Sequence, residues 1–163
     1  MNGIYLLLGS NLGDRLANLK TASKSLQTNA IKILNESSVY ETEPWGTAEQ
    51  PWFLNVVLHV ETFLQEDALL ETCLATEKEM GRIRDKKWGE RLIDIDILYY
   101  NDRVIKTKHL QLPHPEISNR RFTLSPMCEL APNQLHPTTK LTQAEMLTKC
   151  EDGLDCRITE LQL

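Results

Sequence analysis

The sequence predicts an α+β fold in which helices lie against an antiparallel sheet, and three observations lead there. Short apolar runs bounded by turn formers are interleaved with longer stretches of helical spacing, in the order β-α-β-β-α-β. A chain of 163 residues is long enough to bury a sizeable core, so residues 1–163 are expected to form a single domain. Its hydrophobic fraction of 41% and charged fraction of 25% lie near globular averages and favour neither a disordered nor a fibrous chain.

Residues 4–8 are apolar throughout and run into Gly9-Ser10-Asn11-Leu12-Gly13-Asp14, so a strand and then a loop are expected. Leu16, Ala17, Leu19, Ala22 and Leu26 recur at helical spacing behind a potential N-cap, Asp14, predicting a helix over 15–27. Ile31, Ile33 and Val39 predict a second strand reaching Glu43, where Pro44 disfavours helix in the preceding residue. Residues 44–51 form an irregular loop presenting Trp45, and 52–63 form a long strand with Phe53, Val56, Val57, Leu58 and Val60. Leu69, Leu70, Cys73, Leu74, Glu77 and Met80 make a helical stripe over 66–80, with Gly81 where a C-terminal cap belongs.

A basic loop over 82–91 then feeds a strand over 92–100, and Asn101-Asp102 reads as a hairpin turn before Val104 and Ile105. Helical spacing returns over 121–130 and 142–149, giving C-terminal helical additions among five prolines, Pro113, Pro115, Pro126, Pro132 and Pro137. Two helices set between antiparallel strands in this order are the split β-α-β core of ferredoxin-like folds, an arrangement that leaves one sheet face partly free for a site.

A net charge of -5 argues against a general nucleic-acid binder, which needs a cationic surface to displace counterions. The apolar run 4–8 is far short of the ~20 residues that span a bilayer, so no membrane role is expected. Cys73, Cys128, Cys150 and Cys156 form neither a C-x-x-C pair nor a zinc spacing, and the N-terminus lacks signal-peptide features; reduced thiols in the cytoplasm are expected.

In Leu92-Ile93-Asp94-Ile95-Asp96-Ile97, period-two alternation sends both aspartates to one strand face, roughly 7 Å apart, and the isoleucines to the other. Side-by-side carboxylates need water, a cation or a basic group, and Mg²⁺ suits their hard oxygens; a solvated edge strand would show the same pattern. Arg82, Arg84, Lys86, Lys87 and Arg91 lie just upstream around Trp88 and Gly89, with Arg120 and Arg121 as a second basic pair. Such a set beside paired carboxylates fits a phosphate-metal complex and phosphoryl-type transfer, though a solvated connector is equally basic. His114, between Pro113 and Pro115, could bond phosphate or ribose or serve as a turn residue. Phe53 and Asn55 share a strand face and, with Phe122, could form an aromatic slot with an amide to read a flat heterocycle, or could simply be core. Gly9-Ser10-Asn11-Leu12-Gly13 lacks the G-K-[ST] ending of a phosphate loop and is better explained as a turn capping the first helix.

The run Lys87-Trp88-Gly89-Glu90-Arg91-Leu92-Ile93-Asp94-Ile95-Asp96-Ile97-Leu98 resembles the signature of the 6-hydroxymethyl-7,8-dihydropterin pyrophosphokinases of folate biosynthesis. Further stretches occur in that family's order: Gly9-Ser10-Asn11-Leu12-Gly13, Tyr40-Glu41-Thr42-Glu43-Pro44-Trp45-Gly46, Phe53-Leu54-Asn55, Gly81-Arg82-Ile83-Arg84, Pro113-His114 and Asn119-Arg120-Arg121-Phe122. The resemblance implies diphosphate transfer from ATP, as co-substrate, to the hydroxymethyl group of 6-hydroxymethyl-7,8-dihydropterin, with two Mg²⁺ ions held by Asp94 and Asp96. It implies catalytic roles for Arg82, Arg91, Asp94 and Asp96, and nucleotide contacts by Arg82, Arg84, Lys87, Trp88, Arg91, Ile97, Leu110, His114 and Arg120. On the pterin side it implies Thr42, Trp45, Phe53, Asn55, Asp94 and Phe122. The small-molecule substrates are then the only expected partners, with no nucleic acid, no membrane and a monomeric chain. Glu43, Trp45 and Leu74 depart from the family's frequent proline, leucine and glutamine.

Two other classes fit parts of the pattern. A metal-dependent nucleotidyl- or glycosyltransferase would use D-x-D on another acceptor and, for nucleotidyl transfer, release pyrophosphate. A ferredoxin-like sensor domain would bind a small molecule without turnover.

Overall fold

A computed structural model of the chain describes residues 3–28, 30–46, 49–82 and 91–163. In chain order the strands and helices are β1 (Ile4–Ser10), α1 (Arg15–Thr28), β2 (Ile31–Glu36), β3 (Tyr40–Thr42), β4 (Phe53–Thr62), α2 (Glu66–Glu79), β5 (Asp94–Tyr100), β6 (Ile105–Lys106), β7 (Gln111–Leu112), a 3-10 turn (Ile117–Asn119), α3 (Arg121–Leu130), α4 (Gln143–Lys149) and β8 (Cys156–Ile158). The main sheet runs β5-β1-β4-β3-β8, with β2 also paired to β4, and all its pairings are antiparallel. The strand preceding α1 and those following it are separated in the sheet by β4, which is the ferredoxin-like split β-α-β connection.

Alternation along β1, β4 and β5 divides the protein into two layers. Leu6 and Leu8 of β1, Val56 and Leu58 of β4, and Ile95 and Ile97 of β5 pack with Leu19, Ala22 and Leu26 of α1 and with Leu69 and Cys73 of α2. The intervening side chains Tyr5, Leu7, Val57 and Tyr99 pack on the other face with Ile117, Leu124 and Met127 around α3, and with Met146 of α4. α3 and α4 cover only part of that second face. Beyond them Gly9, Asn55, Asp94 and Asp96 line an open pocket.

The expected caps are present. The Ala17 N–H donates to Asp14 Oδ1 at 3.0 Å, and Gly81, with φ 88°, ends α2 while its N–H reaches Lys78 O and that of Arg82 reaches Glu77 O. These two bonds are the Schellman pattern, which requires the left-handed backbone that glycine adopts without strain. α4 opens with a capping box between Thr142 and Glu145.

Several boundaries differ from expectation. β1 continues two residues past Leu8 because Gly9 and Ser10 still pair with Asn55 and Leu54. The expected strand over 31–43 is two strands, β2 and β3, both laid against β4. The break falls at Ser37, whose hydroxyl accepts the Val57 N–H at 3.0 Å. Asn101, at φ 50°, does turn the chain, but β6 pairs with β7 in a separate two-stranded sheet instead of folding back on β5. A β-bulge in β5 leaves Leu98 as an extra residue, since Leu6 faces Ile97 and Tyr5 faces Tyr99. β8, in the C-terminal segment, has no counterpart among the expected elements.

All four cysteines are free. Among the described residues, no helix is long and apolar enough to cross a membrane.

Candidate active site

β5 delivers the acidic pair as its alternation predicts. Ile93, Ile95 and Ile97 are buried toward α1 and α2, while Asp94 and Asp96 line the pocket on the opposite face. Gly9 lies between Asp94 on β5 and Asn55 on β4, in register with both. A Cβ at Gly9 would stand 2.6 Å from Asn55 Oδ1, so only glycine permits this close packing of the floor.

Cationic groups surround the carboxylates. The Arg82 guanidinium is 2.5 Å from Asp94 Oδ1 and also pairs with Glu77, while Arg91 pairs with Asp94 Oδ2. Burial alone would lower the Arg82 pKa, but Asp94 and Glu77 outweigh it and hold the group above its ordinary value. Burial, then the neighbouring charges of Asp94 and Glu77, pushes Asp96 well above the usual carboxylate range. Two carboxylates are thus crowded together, with one compensated by two guanidiniums and the other disfavoured as an anion.

Glu77 anchors this arrangement from below. It is almost fully buried on α2, and its Oε1 accepts the Ile95 N–H at 2.8 Å. Asn11 does similar work at the rim: its Oδ1 accepts the Arg91 N–H at 2.7 Å, and its Nδ2 donates to Gln50 Oε1 and to Pro51 O, both at 3.3 Å. Neither residue was anticipated as part of the site. For Glu77 the signal was available, because a carboxylate occupies a position on the buried stripe of an otherwise apolar helix face. Asn11 gave none, since an asparagine in a turn usually bonds its own backbone.

The remaining wall is aromatic. Thr42, Trp45, Phe53, Asn55 and Phe122 all line the pocket, and Asn55 Nδ2 donates to Thr42 Oγ1 at 2.7 Å, which fixes the plane of the amide. The Arg120 guanidinium lies 4.6 Å from the Trp45 ring centroid and 5.7 Å from that of Phe122, so it joins the aromatic wall to the charged floor. Its pKa is lowered by burial, with Asp96, Glu116 and Asp94 acting in opposition.

His114 lies near this charged group, at the turn after β7. Burial and then Arg120 push its imidazole down to about 4, while Glu116 and Asp94 oppose the shift, and its Nδ1 accepts the Glu116 N–H at 3.3 Å. The side chains of Ile97 and Leu110 are buried in the layer beneath the sheet, away from the pocket. Arg84, Lys87 and Trp88 lie outside the described residues.

Fold and site together define a class: an α+β protein whose open sheet face sets paired carboxylates and guanidiniums beside an aromatic slot with a fixed amide. A sequence profile of the 7,8-dihydro-6-hydroxymethylpterin-pyrophosphokinase family matches residues 5–132. The chain is 42% identical over 134 residues to the 2-amino-4-hydroxy-6-hydroxymethyldihydropteridine pyrophosphokinase of Methylorubrum extorquens, covering 82% of this chain and 85% of that one. To the protein of the same name from Aquifex aeolicus it is 45% identical over 137 residues, covering 84% and 85%. A folic acid synthesis protein of Dictyostelium discoideum is 40% identical over 152 residues, which are 93% of this chain but 23% of that protein. Among solved structures, wild-type HPPK-DHPS of Plasmodium falciparum superposes with a TM-score of 0.71 at 17% identity, over 91% of this chain and 44% of that one. The chain therefore spans less than half the length of that solved chain, and the likeness there is one of fold. This chain belongs to the 7,8-dihydro-6-hydroxymethylpterin-pyrophosphokinase family.

Proposed function

We propose that this protein transfers a diphosphate group from Mg-ATP to the hydroxymethyl group of 6-hydroxymethyl-7,8-dihydropterin, releasing AMP and the pterin diphosphate, in folate biosynthesis. The observation that carries this is the sharing of one pocket by Asp94, Asp96, Arg91 and Arg120 with Thr42, Phe53, Asn55 and Phe122. A charged centre and a slot for a flat heterocycle are what such a transfer needs side by side.

The donor set fits magnesium. Among the described residues no group of three or more His, Cys, Asp or Glu side chains gathers around a common point, so a cation here would take carboxylate oxygens from Asp94 and Asp96 and complete its shell with phosphate oxygens and water, as Mg²⁺ commonly does. Two Mg²⁺ ions bound there would neutralise the phosphate charge and polarise the phosphorus under attack. The crowding that disfavours an anionic Asp96 is relieved by such a cation.

The chain's own residues account for the rest. Phe53 and Phe122 stack the heterocycle, and Asn55, oriented by Thr42, reads its edge. This directs the hydroxymethyl oxygen toward the floor at Asp94, where it bonds to the β-phosphorus as the bond from that phosphorus to the oxygen of the α-phosphate breaks. The hydroxyl proton passes to solvent and AMP leaves. Arg82 and Arg91, already at the Asp94 carboxylate, meet the negative charge that shifts from nucleophile to leaving group. Arg120 and His114, with Arg84, Lys87 and Trp88 and the stretches around Ile97 and Leu110, serve the nucleotide. The chain acts as a single domain, a monomer of the cytoplasm.

Incubation of the purified protein with Mg-ATP and hydroxymethyl-dihydropterin tests the proposal: AMP and pterin diphosphate should appear together, and chelation by EDTA should abolish both. Folded protein that forms no AMP would refute it, and pyrophosphate in place of AMP would mark a nucleotidyl transferase instead.

A further inference from the structure

The segment that follows the family match is built into the aromatic side of the pocket. β8 extends the sheet beyond β3, setting Cys156 against Thr42 and Ile158 against Tyr40. Just past the end of β3 the Glu43 N–H donates to Asp155 O at 3.1 Å, and the Asp155 N–H donates to the Glu43 carboxylate at 2.8 Å. Three residues earlier Asp152 meets the start of α3. Its Oδ2 accepts the Arg121 N–H at 2.9 Å, its carbonyl oxygen accepts from Arg121 Nε at 2.8 Å, and its Oδ1 accepts the Leu154 N–H at 3.0 Å.

α3 has no cap of its own. Arg120, at the N-cap position, makes no side-chain cap bond, and the first turn contains no acidic residue. The first N–H groups of a helix lack intrahelical partners and favour a nearby anion, so Asp152 supplies from a distant part of the chain what the local sequence omits. The neighbours of Arg121 in the chain are Arg120 and Phe122, and both line the pocket, as does Glu43. Residues 152–155 therefore hold two walls at once: the strand end leading to Trp45 and the helix start bearing Phe122.

We propose that Asp152 is a positioning residue for the heterocycle slot, capping α3 from the C-terminal segment so that Phe122 stands at stacking distance from the wall formed by β3 and β4. The inference rests on the pterin reading of that slot. Its effect falls on binding of the heterocycle, since Asp152 touches neither the carboxylates nor Arg82 and Arg91.

Steady-state kinetics of the full chain with Mg-ATP and hydroxymethyl-dihydropterin, alongside thermal unfolding, tests it. Asp152→Ala should raise the pterin KM about tenfold, the scale set by loss of a helix cap, and leave kcat within about twofold. Asp152→Asn keeps one acceptor oxygen and should fall between the two proteins; it carries the test if the alanine variant does not fold. An active wild type with an unchanged pterin KM in the variants, even with lowered Tm, would overturn the positioning role alone, as would a fall in kcat at constant KM. A wild type that forms no AMP would overturn the transfer reading, and this role with it.

Discussion

Removing Glu77 should destabilise the protein by an amount that its surroundings define. Its side chain is 3% exposed and pairs with Arg82, 13% exposed, and its Oε1 accepts the N–H of Ile95 on β5, which forms the edge of the main sheet. Breaking a buried ion pair from one side costs about 3–5 kcal/mol, and loss of a charged acceptor for a buried N–H accounts for about 1.5–3 kcal/mol of such effects. Two features offset this. Arg82 keeps Asp94 as a partner, and Asp96 loses a neighbouring negative charge that disfavours its ionisation. Glu77→Ala should therefore cost about 2–3 kcal/mol, a fall in Tm of about 4–12 °C for a chain of this size. Glu77→Gln retains an oxygen for the Ile95 N–H and should cost about 1–2 kcal/mol. Urea and thermal unfolding followed by far-UV circular dichroism measure both. An alanine variant within about 0.5 kcal/mol of wild type, the range of an ordinary surface substitution, would refute the buried-anchor argument. A glutamine variant as damaged as alanine would show that charge alone, and not the acceptor, holds the strand edge.

Arg82→Ala should lower kcat by about 10²–10³ while raising the ATP KM far less, because its guanidinium acts on charge that develops in transfer; equal changes in single-turnover rate and ATP binding would contradict that role. Gly9→Ala sets a Cβ 2.6 Å from Asn55 Oδ1, so pterin binding by calorimetry should weaken about tenfold or more, with unaltered affinity refuting the close-packed floor. The His114 imidazole, pushed down to about 4, stays neutral in the folded protein while the unfolded chain binds a proton below about 6.5. Its contribution to stability is thus full above about pH 6.5 and is lost as pH falls toward 4, so wild type should lose more stability than His114→Gln between about pH 7 and pH 5. Equal losses in urea titrations at the two pH values would overturn that assignment.

The fold was legible wherever one residue's chemistry dictates local geometry. Asp14 and Gly81 mark helix ends because an unpaired N–H needs an acceptor and a left-handed C-terminal residue needs glycine. Asp94 and Asp96 share a face because the strand period is two. The split between β2 and β3 was hidden, since it depends on the Ser37 hydroxyl accepting the Val57 N–H across the sheet. β8 was hidden because two of its three residues, Arg157 and Ile158, are exposed and show no buried face. In the site, residue types in motif order pointed to the carboxylates, arginines and aromatics. Glu77 was readable as a carboxylate on a buried helical stripe, whereas Asn11 and Asp152 could not be placed from spacing, because each acts on a residue far away in the chain.

The pocket floor is made of strands of the main sheet. Leu7, Gly9, Asn55 and Asp96 belong to β1, β4 and β5, whose alternate residues form the helix-packed core. The floor therefore shares the cooperativity of the whole domain, and its amides open to solvent only when the sheet itself comes apart. A ligand seated there slows exchange throughout β1, β4 and β5 in proportion to the full strength of its binding, and so protects the protein as a unit. Substrate occupancy can thus govern how long the folded chain survives, as well as what it produces.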